Sequence, residues 1–357
     1  MGRLVITTAA EQVAWHLRAE ILAGLRRGKM PGGDKLAAEL GIGCNTAEAA
    51  LDLLERQGLL LSRGSRRGRL IAEIPASVKN RSLRVAILTS ESVDRGIDYM
   101  IEIEHELAGR PHTVIQVARG MVELGMDLRR ISSLVEQTEA DAWLVLAAPQ
   151  DVMEWFAARG TPCFAIFGRR QGLPVAGAGP DKRAALLEAT RRLAGLGHRR
   201  IVLFARPRRR LPTPGLSEQA FLDELEALGL PVGNYNLPAW EERPEGFHAR
   251  LDSLFRVTPP TALIIQEAPS FLATQQFLSM RRISVPGDVS LVCTDHSPVF
   301  DWCRPLVSHI RWESRPLVNR VLKWASNVAS GKADRQQLEI AAKFVEGGTI
   351  GPTAKRQ

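Results

Sequence analysis

Residues 35–57, KLAAELGIGCNTAEAALDLLERQ, contain two short helical patterns separated by a glycine-containing turn. The first pattern, Lys35–Leu40, ends at Gly41. The second, from Thr46 to about Gln57, places alanine and leucine side chains at positions i, i+3, i+4 and i+7, which is one face of an α-helix. Two short helices around such a turn form a helix-turn-helix, and the second helix of that motif can enter the major groove of DNA.

The sequence before this motif predicts another helix. Thr8-Ala9-Ala10-Glu11 has the Thr-x-x-Glu form of a capping box, which marks a helix N-terminus. Apolar side chains recur at every fourth position from Val13 to Leu25, so they share one helical face. Gly28 and the following Pro31-Gly32-Gly33 end this first helix.

The sequence after the motif predicts a two-stranded hairpin. Residues 59–63 and 69–72 are strand-like, and Gly64-Ser65 forms the turn between them. The tip of the hairpin carries several arginines with no acidic residue between them, and guanidinium groups suit phosphate oxygens. Taken alone, the hairpin fits a solvated charged turn as well, but its place directly after a helix-turn-helix favours phosphate binding. These arginines are Arg63, Arg66, Arg67 and Arg69.

Residues 7–72 resemble the winged helix-turn-helix of the gluconate-repressor (GntR) family. The resemblance implies a DNA-binding head over residues 1–74, with base or phosphate contacts from Asn45, Thr46 and the wing, including Ser65. The sequence departs from the family pattern where the family usually has arginine, which implies weaker or redirected operator binding. These departures are Asp34, Cys44 and Glu48. The matching positions are Gly28-x-x-Pro31, Leu36-Ala37-x-Glu39-Leu40-Gly41, Asn45-Thr46, Ala50-Leu51, Leu54-Glu55 and Gly58-Leu59-Leu60.

The pattern of apolar residues changes after a polar segment at residues 75–82, which we interpret as a linker. From Leu83 to Cys293, short apolar strand-like runs alternate with helical stretches. Such alternation predicts parallel sheets covered by helices on both faces. Two such runs predict two doubly wound α/β subdomains, with ligands bound at the carboxyl ends of the strands and in the cleft between the subdomains.

Several short sequence motifs in residues 83–347 resemble those of the effector domain of the lactose-repressor (LacI) family. This resemblance implies a periplasmic-binding-protein-like fold of type I. The resemblance implies two subdomains, one of about residues 83–180 plus 311–331 and the other of about 181–310, followed by a tail at 348–357. The motifs are Leu196-Gly197-His198-Arg199-Arg200-Ile201, Pro260-Thr261-Ala262-Leu263, Val285-Pro286-Gly287-Asp288-Val289-Ser290-Leu291-Val292 with Asp295, and Pro305-Leu306.

The same resemblance implies a ligand site. Asp295 matches a cleft aspartate that accepts ligand hydroxyls, and Trp240 falls near an aromatic position that stacks on a sugar. Ser217 stands where the family has its cleft arginine, and Glu267 stands at its Asn-Asp pair, where it can still accept hydroxyl bonds. The Arg206–Arg210 run after a strand favours a solvated loop or a cleft-edge role over nucleic-acid binding.

Composition and motifs exclude several classes of protein. The 357 residues predict two or three domains, and a net charge of +8 suits a polyanionic partner. The four cysteines show no zinc-type spacing, so we expect reduced thiols, no metal and no cofactor. Neither a signal peptide nor a membrane-spanning run is present, which predicts a cytoplasmic protein without a membrane partner. Nucleophile-elbow, phosphate-loop and zinc-protease motifs are missing, so no catalytic residue and no enzyme are expected.

The sequence therefore predicts a DNA-binding transcription regulator, with repression favoured, whose operator affinity is controlled by a mono- or disaccharide in the cleft. A homodimer would read a palindromic operator with half-sites about one helical turn apart. Two alternatives stay open. One is a constitutive regulator with a degenerate ligand site, and the other is a sugar-binding protein whose head no longer binds DNA.

Overall fold

The computed structural model describes residues 8–22, 26, 28–56, 58–62, 68–72, 81–210 and 213–353. The N-terminal unit consists, in these residues, of three helices and one antiparallel sheet with the strand order β1-β3-β2. Its elements are α1 (Ala9–Leu22), β1 (Lys29–Met30), α2 (Gly33–Leu40), α3 (Cys44–Arg56), β2 (Leu60–Ser62) and β3 (Arg69–Ile71).

The predicted capping box begins α1. The backbone N–H of Glu11 donates to the Thr8 hydroxyl over 3.2 Å, and the Glu11 carboxylate accepts from the backbone N–H of Thr8 over 2.7 Å, so this prediction is confirmed. At the other boundary of the motif, α2 ends at Gly41, whose φ of 65° is a conformation that glycine adopts without steric cost. The sequence did not predict β1, because a two-residue strand is too short to show alternation.

The three helices pack around one small apolar core. Leu17 and Ile21 of α1 meet Leu36 of α2 and the inward face of α3, where Leu51 and Leu54 are fully buried. The spacing of these leucines is the i, i+3 repeat expected for one helical face, so the core follows directly from the sequence pattern. This unit buries its own core, as an independent domain must.

Two α/β lobes follow the N-terminal unit. Most of their strands are buried apolar runs of four to six residues, and helices connect them. The first-lobe elements are β4 (Arg84–Leu88), α4 (Asp98–Ala108), β5 (Thr113–Gln116), α5 (Leu128–Gln137), β6 (Ala142–Leu146), α6 (Gln150–Arg159), β7 (Cys163–Ile166) and β8 (Ala176–Asp181). The following elements are α7 (Arg183–Gly195), β9 (Ile201–Phe204), α8 (Pro207–Arg210), α9 (Leu216–Ala227), α10 (Pro244–Val257), β10 (Ala262–Ile265), α11 (Ala268–Met280), β11 (Ser290–Cys293), β12 (Ser308–Trp312), α12 (Arg315–Ala329) and β13 (Gln337–Val345).

The strands lie in the order β5-β4-β6-β7-β8-β13-β12-β11-β10-β9. All neighbouring pairs are parallel except β12 and β13, so the predicted parallel α/β fold is confirmed. The long strand β13 joins the two halves, because its first part pairs with β8 and its second part with β12. Helix α12 returns to the first lobe, where Leu317, Val321 and Trp324 are buried in the same core as the β4 strand.

The sequence interpretation missed β8, β12 and β13. Strand β8 reads Ala-Gly-Ala-Gly-Pro-Asp, and glycine, alanine and proline have low strand propensity. β8 lies between β7 and β13, and backbone hydrogen bonds to these two strands hold it in the sheet despite its low strand propensity. Within the described residues, no helix combines the length and the apolar character needed to cross a membrane.

Candidate functional site

Three neighbouring strands of the second lobe are each followed, two residues after the strand ends, by a charged residue. Phe204 of β9 and Cys293 of β11 both pair with Ile265 of β10, so the carboxyl ends of these strands are level. Each strand is followed by a charged residue two positions beyond the paired one. Parallel strand ends share one edge of a sheet, so these side chains lie along one line at the cleft. They are Arg206, Glu267 and Asp295.

Arg206 is surrounded by three carboxylates. Its Nε donates to Glu267 over 2.9 Å, one Nη donates to Glu242 over 2.9 Å, and the same Nη contacts Glu91. Burial opposes the charge of this guanidinium, but Glu267 in particular, with Glu242 and Glu91, outweighs it and holds the pKa of Arg206 above its usual value. Since Glu91 follows β4 of the first lobe, this cluster bridges the two lobes.

A second contact crosses between the lobes close to this cluster. One Nη of Arg169, which follows β7, donates to the carbonyl oxygen of Thr213 over 2.8 Å. Arg169 belongs to the first lobe, and Thr213 lies in the loop before α9 of the second. The structure thus describes a conformation in which direct protein contacts join the lobes beside the strand ends.

Asp295, the predicted ligand acceptor, forms an ion pair with Lys182 at the N-terminus of α7. The same environment acts on Tyr99 of α4. Burial first, and then the charges of Asp295, Asp94 and Glu267, raise the pKa of Tyr99, so its phenol stays protonated. Glu267 and Asp295 follow the level ends of two neighbouring strands of the second lobe, and Tyr99 of the first lobe lies within reach of their charges.

The first lobe contributes an aromatic cluster to this site. Tyr99, Phe167 and Trp312 form a triangle with 5.7 Å between each pair of ring centroids. Phe167 directly follows β7 and has φ 59°, and Ala147 and Glu267 also have positive φ angles after β6 and β10. Non-glycine residues pay a steric cost in this region, and such strain concentrates at functional sites. The aromatic cluster offers flat apolar faces beside the charged groups.

Trp240 lies beside the same strand end but is largely engaged in packing. Its ring centroid is 5.6 Å from that of Phe204 and 5.5 Å from that of Phe247, and its indole Nε1 donates to the carbonyl oxygen of Ala205 over 2.7 Å. The indole is therefore oriented by the core of the second lobe. Ser217 lies half-buried in the first turn of α9, and it makes no hydrogen bond or ion pair with the described cleft residues.

The sequence interpretation missed several members of this site. Arg206 was expected in a solvated loop or at the cleft edge, and the structure places it at the cleft, where none of its three carboxylate partners is close to it in sequence.

 The sequence separations between Arg206 and its partners are 115 residues to Glu91, 36 to Glu242 and 61 to Glu267. Partners this far apart leave no local sequence signal, so only the register of the strands reveals the cluster. Lys182 and Tyr99 were missed for the same reason.

In the N-terminal unit, Arg69 has different surroundings from those expected. It lies on β3 and not at the hairpin tip, and its guanidinium binds three carboxylates of α3. This corrects the expectation that Arg69 extends toward DNA with the other arginines, because its donors already face protein. Its partners are Glu48, Asp52 and Glu55.

The three residues that depart from the family pattern, Asp34, Cys44 and Glu48, also form hydrogen bonds within the N-terminal unit. The thiol of Cys44 donates to Asp34 over 2.8 Å, and this hydrogen bond is the main reason that the pKa of Cys44 is raised. Glu48 accepts from the backbone N–H of Gly33 over 3.0 Å in addition to binding Arg69, so it ties α3 to the start of α2. All three therefore contribute contacts within the unit.

The remaining predicted DNA contacts divide into two groups. Asn45 is exposed and Thr46 half-buried in the first turn of α3. The others lie outside the described residues, so their positions stay predictions. They are Arg63, Ser65, Arg66 and Arg67.

Comparison with known proteins supports the architecture of the lobes. A family model described as "Periplasmic binding protein-like domain" matches residues 190–350. An "Uncharacterized HTH-type transcriptional regulator in aml 5'region" of Streptomyces limosus is 32% identical over 156 residues, which are 43% of this chain and 44% of that protein. The chain thus matches less than half the length of this curated relative.

Two solved structures resemble the chain at low sequence identity. A transcriptional regulator CelR–cellobiose complex is 19% identical with a TM-score of 0.62, over 90% of this chain and all of that one. A dimeric Lac repressor with a C-terminal deletion is 15% identical with a TM-score of 0.59, over 75% of this chain and 98% of that one. Together with the parallel sheet and the cleft at its strand ends, these similarities identify the lobes as a periplasmic-binding-protein-like fold of type I.

Proposed function

We propose that this chain is a DNA-binding transcription regulator, not an enzyme, whose operator affinity is set by a small ligand in the cleft between its lobes. The observation that carries the proposal is the combination of a three-helix unit containing a helix-turn-helix pattern with two lobes whose charged and aromatic side chains meet at the strand ends. The curated relative from Streptomyces limosus, itself described as an HTH-type transcriptional regulator, supports it.

The DNA-binding part of the proposal assigns the N-terminal unit as a winged helix of the GntR type. Helix α3 would enter the major groove, with Asn45 and Thr46 nearest to the bases. The wing would supply Arg63, Arg66 and Arg67 to phosphates, with Ser65 at its tip, because phosphate contacts position a protein on DNA. Arg69 would instead neutralise the carboxylates of α3, which would otherwise repel the DNA backbone.

The ligand part of the proposal assigns a mono- or disaccharide to the cleft. Asp295 and Glu267 supply acceptors for hydroxyl groups, and the Tyr99 phenol supplies a donor. The rings of Trp312 and Phe167 offer apolar faces to the C–H side of a sugar ring, a role in which Trp240 would take part only with its free edge. The bound cellobiose of the CelR complex belongs to a protein of the same fold and supports a sugar here.

A second candidate function is a constitutive regulator. The contacts of Arg206 with Glu91 and of Arg169 with Thr213 favour it, because they join the two lobes directly, protein to protein. In a sensor these contacts would break or rearrange when the ligand binds. In a constitutive regulator they would hold one arrangement of the lobes permanently.

We further propose that the regulator is a homodimer formed through the second lobe. Trp302 is 86% exposed, and the neighbouring Val299 and Leu306 are exposed as well. Phe300 packs against Phe271 of α11, which joins this apolar segment to the helix. A second copy of the chain would cover this surface, and sedimentation of the Trp302→Glu variant at micromolar concentration should then show monomers.

Two measurements on the full chain test the proposed function. A gel-shift assay on the DNA upstream of its gene should show a specific complex, which the Arg66→Ala, Arg67→Ala double variant weakens on all sequences with a reduced salt slope. Titration calorimetry against a sugar panel that includes cellobiose should find a ligand, and Asp295→Asn should weaken its binding about tenfold or more. A specific complex without any sugar response would favour the constitutive regulator, and no specific complex would refute both.

A further inference from the structure

A second cavity lies at the amino ends of strands β9, β10 and β11, opposite the cleft. Its volume is about 930 Å³, which is in the range of small-molecule sites. The segments just before these strands line it, together with the C-terminal ends of α10 and α11. Five arginines contribute to the lining, namely Arg199, Arg200, Arg256, Arg281 and Arg282.

Three of these arginines have no partner among the described residues. Arg281 pairs with Asp252, and the Nε of Arg200 donates to the carbonyl oxygen of Pro259 over 2.6 Å. The other lining carboxylate, Asp288, accepts from the backbone and the hydroxyl of Ser284. In the part of the chain that the structure describes, the side chains of the remaining three make neither a hydrogen bond nor an ion pair. They are Arg199, Arg256 and Arg282.

The backbone at Arg282 provides an independent observation. Helix α11 ends with the N–H of Arg282 donating to Ser279 and the N–H of Ile283 donating to Leu278, each over 3.0 Å. Arg282 takes φ 56° at this turn. Glycine usually occupies such a position, because a side chain there is sterically unfavourable. The chain thus presents a guanidinium at the cavity from a position that disfavours any side chain.

We propose that this cavity binds a small molecule that carries two or more phosphate groups. Guanidinium groups match phosphate oxygens in geometry and charge, and the three unpartnered arginines give the cavity an excess of positive charge. A single phosphate would leave most of the volume unfilled, whereas Phe255 and Ile283 of the lining suit an apolar part of the molecule. This site is separate from the cleft and does not depend on the function proposed for it.

Titration calorimetry of the full chain with inorganic tripolyphosphate, at fixed ionic strength, tests the proposal. Tripolyphosphate should bind at least about tenfold more tightly than inorganic monophosphate, because several charge-assisted hydrogen bonds form together. Arg256→Ala and Arg282→Gly should each weaken its binding roughly tenfold. Arg250→Ala is the matched control, since Arg250 lies on α10 outside the cavity lining and should leave the affinity unchanged.

The Arg282→Gly variant separates binding from folding. Glycine suits the backbone at this turn, so the thermal midpoint of the variant should be equal to or above that of the parent even though tripolyphosphate binding is weaker. The absence of measurable tripolyphosphate binding to the parent would overturn the proposal. Equal losses in Arg250→Ala and the two cavity variants would also overturn it, because they would indicate general attraction to a basic surface.

Discussion

Two arginines in different parts of the molecule each bind three carboxylates, yet the two clusters hold different structures together. The partners of Arg69 are spaced four and three residues apart, so α3 alone presents them on one face and the guanidinium ties β3 to that helix. The partners of Arg206 come from three distant segments and from both lobes. The first cluster fixes the geometry of one small unit, whereas the second depends on how the lobes are placed.

Exposure to solvent separates the two clusters further. The carboxylate side chains around Arg69 are 34–57% exposed, and those around Arg206 are 27–31% exposed. Water screens the more exposed ion pairs, which contribute little to stability. Removing the cation from the less exposed cluster leaves carboxylates that face one another with less water to separate them.

The largest effect is expected from Arg206→Met. This variant should lose about 2–3 kcal/mol of unfolding free energy at pH 7, because three half-buried carboxylates lose the cation that neutralises them. Urea denaturation of the lobes measures it. Arg256→Ala, on α10 beside the opposite strand ends, is the control and should change stability by no more than about 0.5 kcal/mol.

The salt dependence of Arg206→Met checks the cause of that loss. Without the cation, the three carboxylates repel one another, and dissolved salt screens that repulsion. The variant should therefore recover part of its lost stability when urea denaturation is repeated at rising sodium chloride concentration. A loss of equal size at every salt concentration would instead indicate a packing defect.

A smaller effect is expected from Arg69→Met. Three partly exposed ion pairs contribute roughly 0.2–1 kcal/mol each, so the N-terminal unit should lose about 1–2 kcal/mol. Hydrogen exchange of the α3 amides, which reports on this unit separately from the lobes, measures the change. If Arg69→Met destabilised its unit as strongly as Arg206→Met destabilises the lobes, the contrast in exposure would not explain the difference between the clusters.

The two clusters also show what the sequence can and cannot predict. The parallel fold was predictable because strands such as β6 and β10 are continuous apolar runs, and Asp295 was placed at a strand end because it follows β11 directly. The pairing of Asp295 with Lys182 was not, because 113 residues separate them and only the assembled sheet brings them together. Arg69 was misplaced because the sequence alone did not reveal that β3 lies against the acidic face of α3.

The finest test of the comparison removes one carboxylate from each cluster without removing a cation. Glu91→Gln weakens the contact between the lobes at Arg206, whereas Glu48→Gln weakens a contact within the N-terminal unit. Each change should cost less than about 1 kcal/mol, since two carboxylates still neutralise each arginine. Only Glu91→Gln should favour more open lobes, because only its contact depends on their separation. Small-angle scattering should therefore show a larger radius of gyration for Glu91→Gln and an unchanged one for Glu48→Gln. The same radius for both variants would mean that Arg206 stabilises the second lobe alone and does not control the cleft.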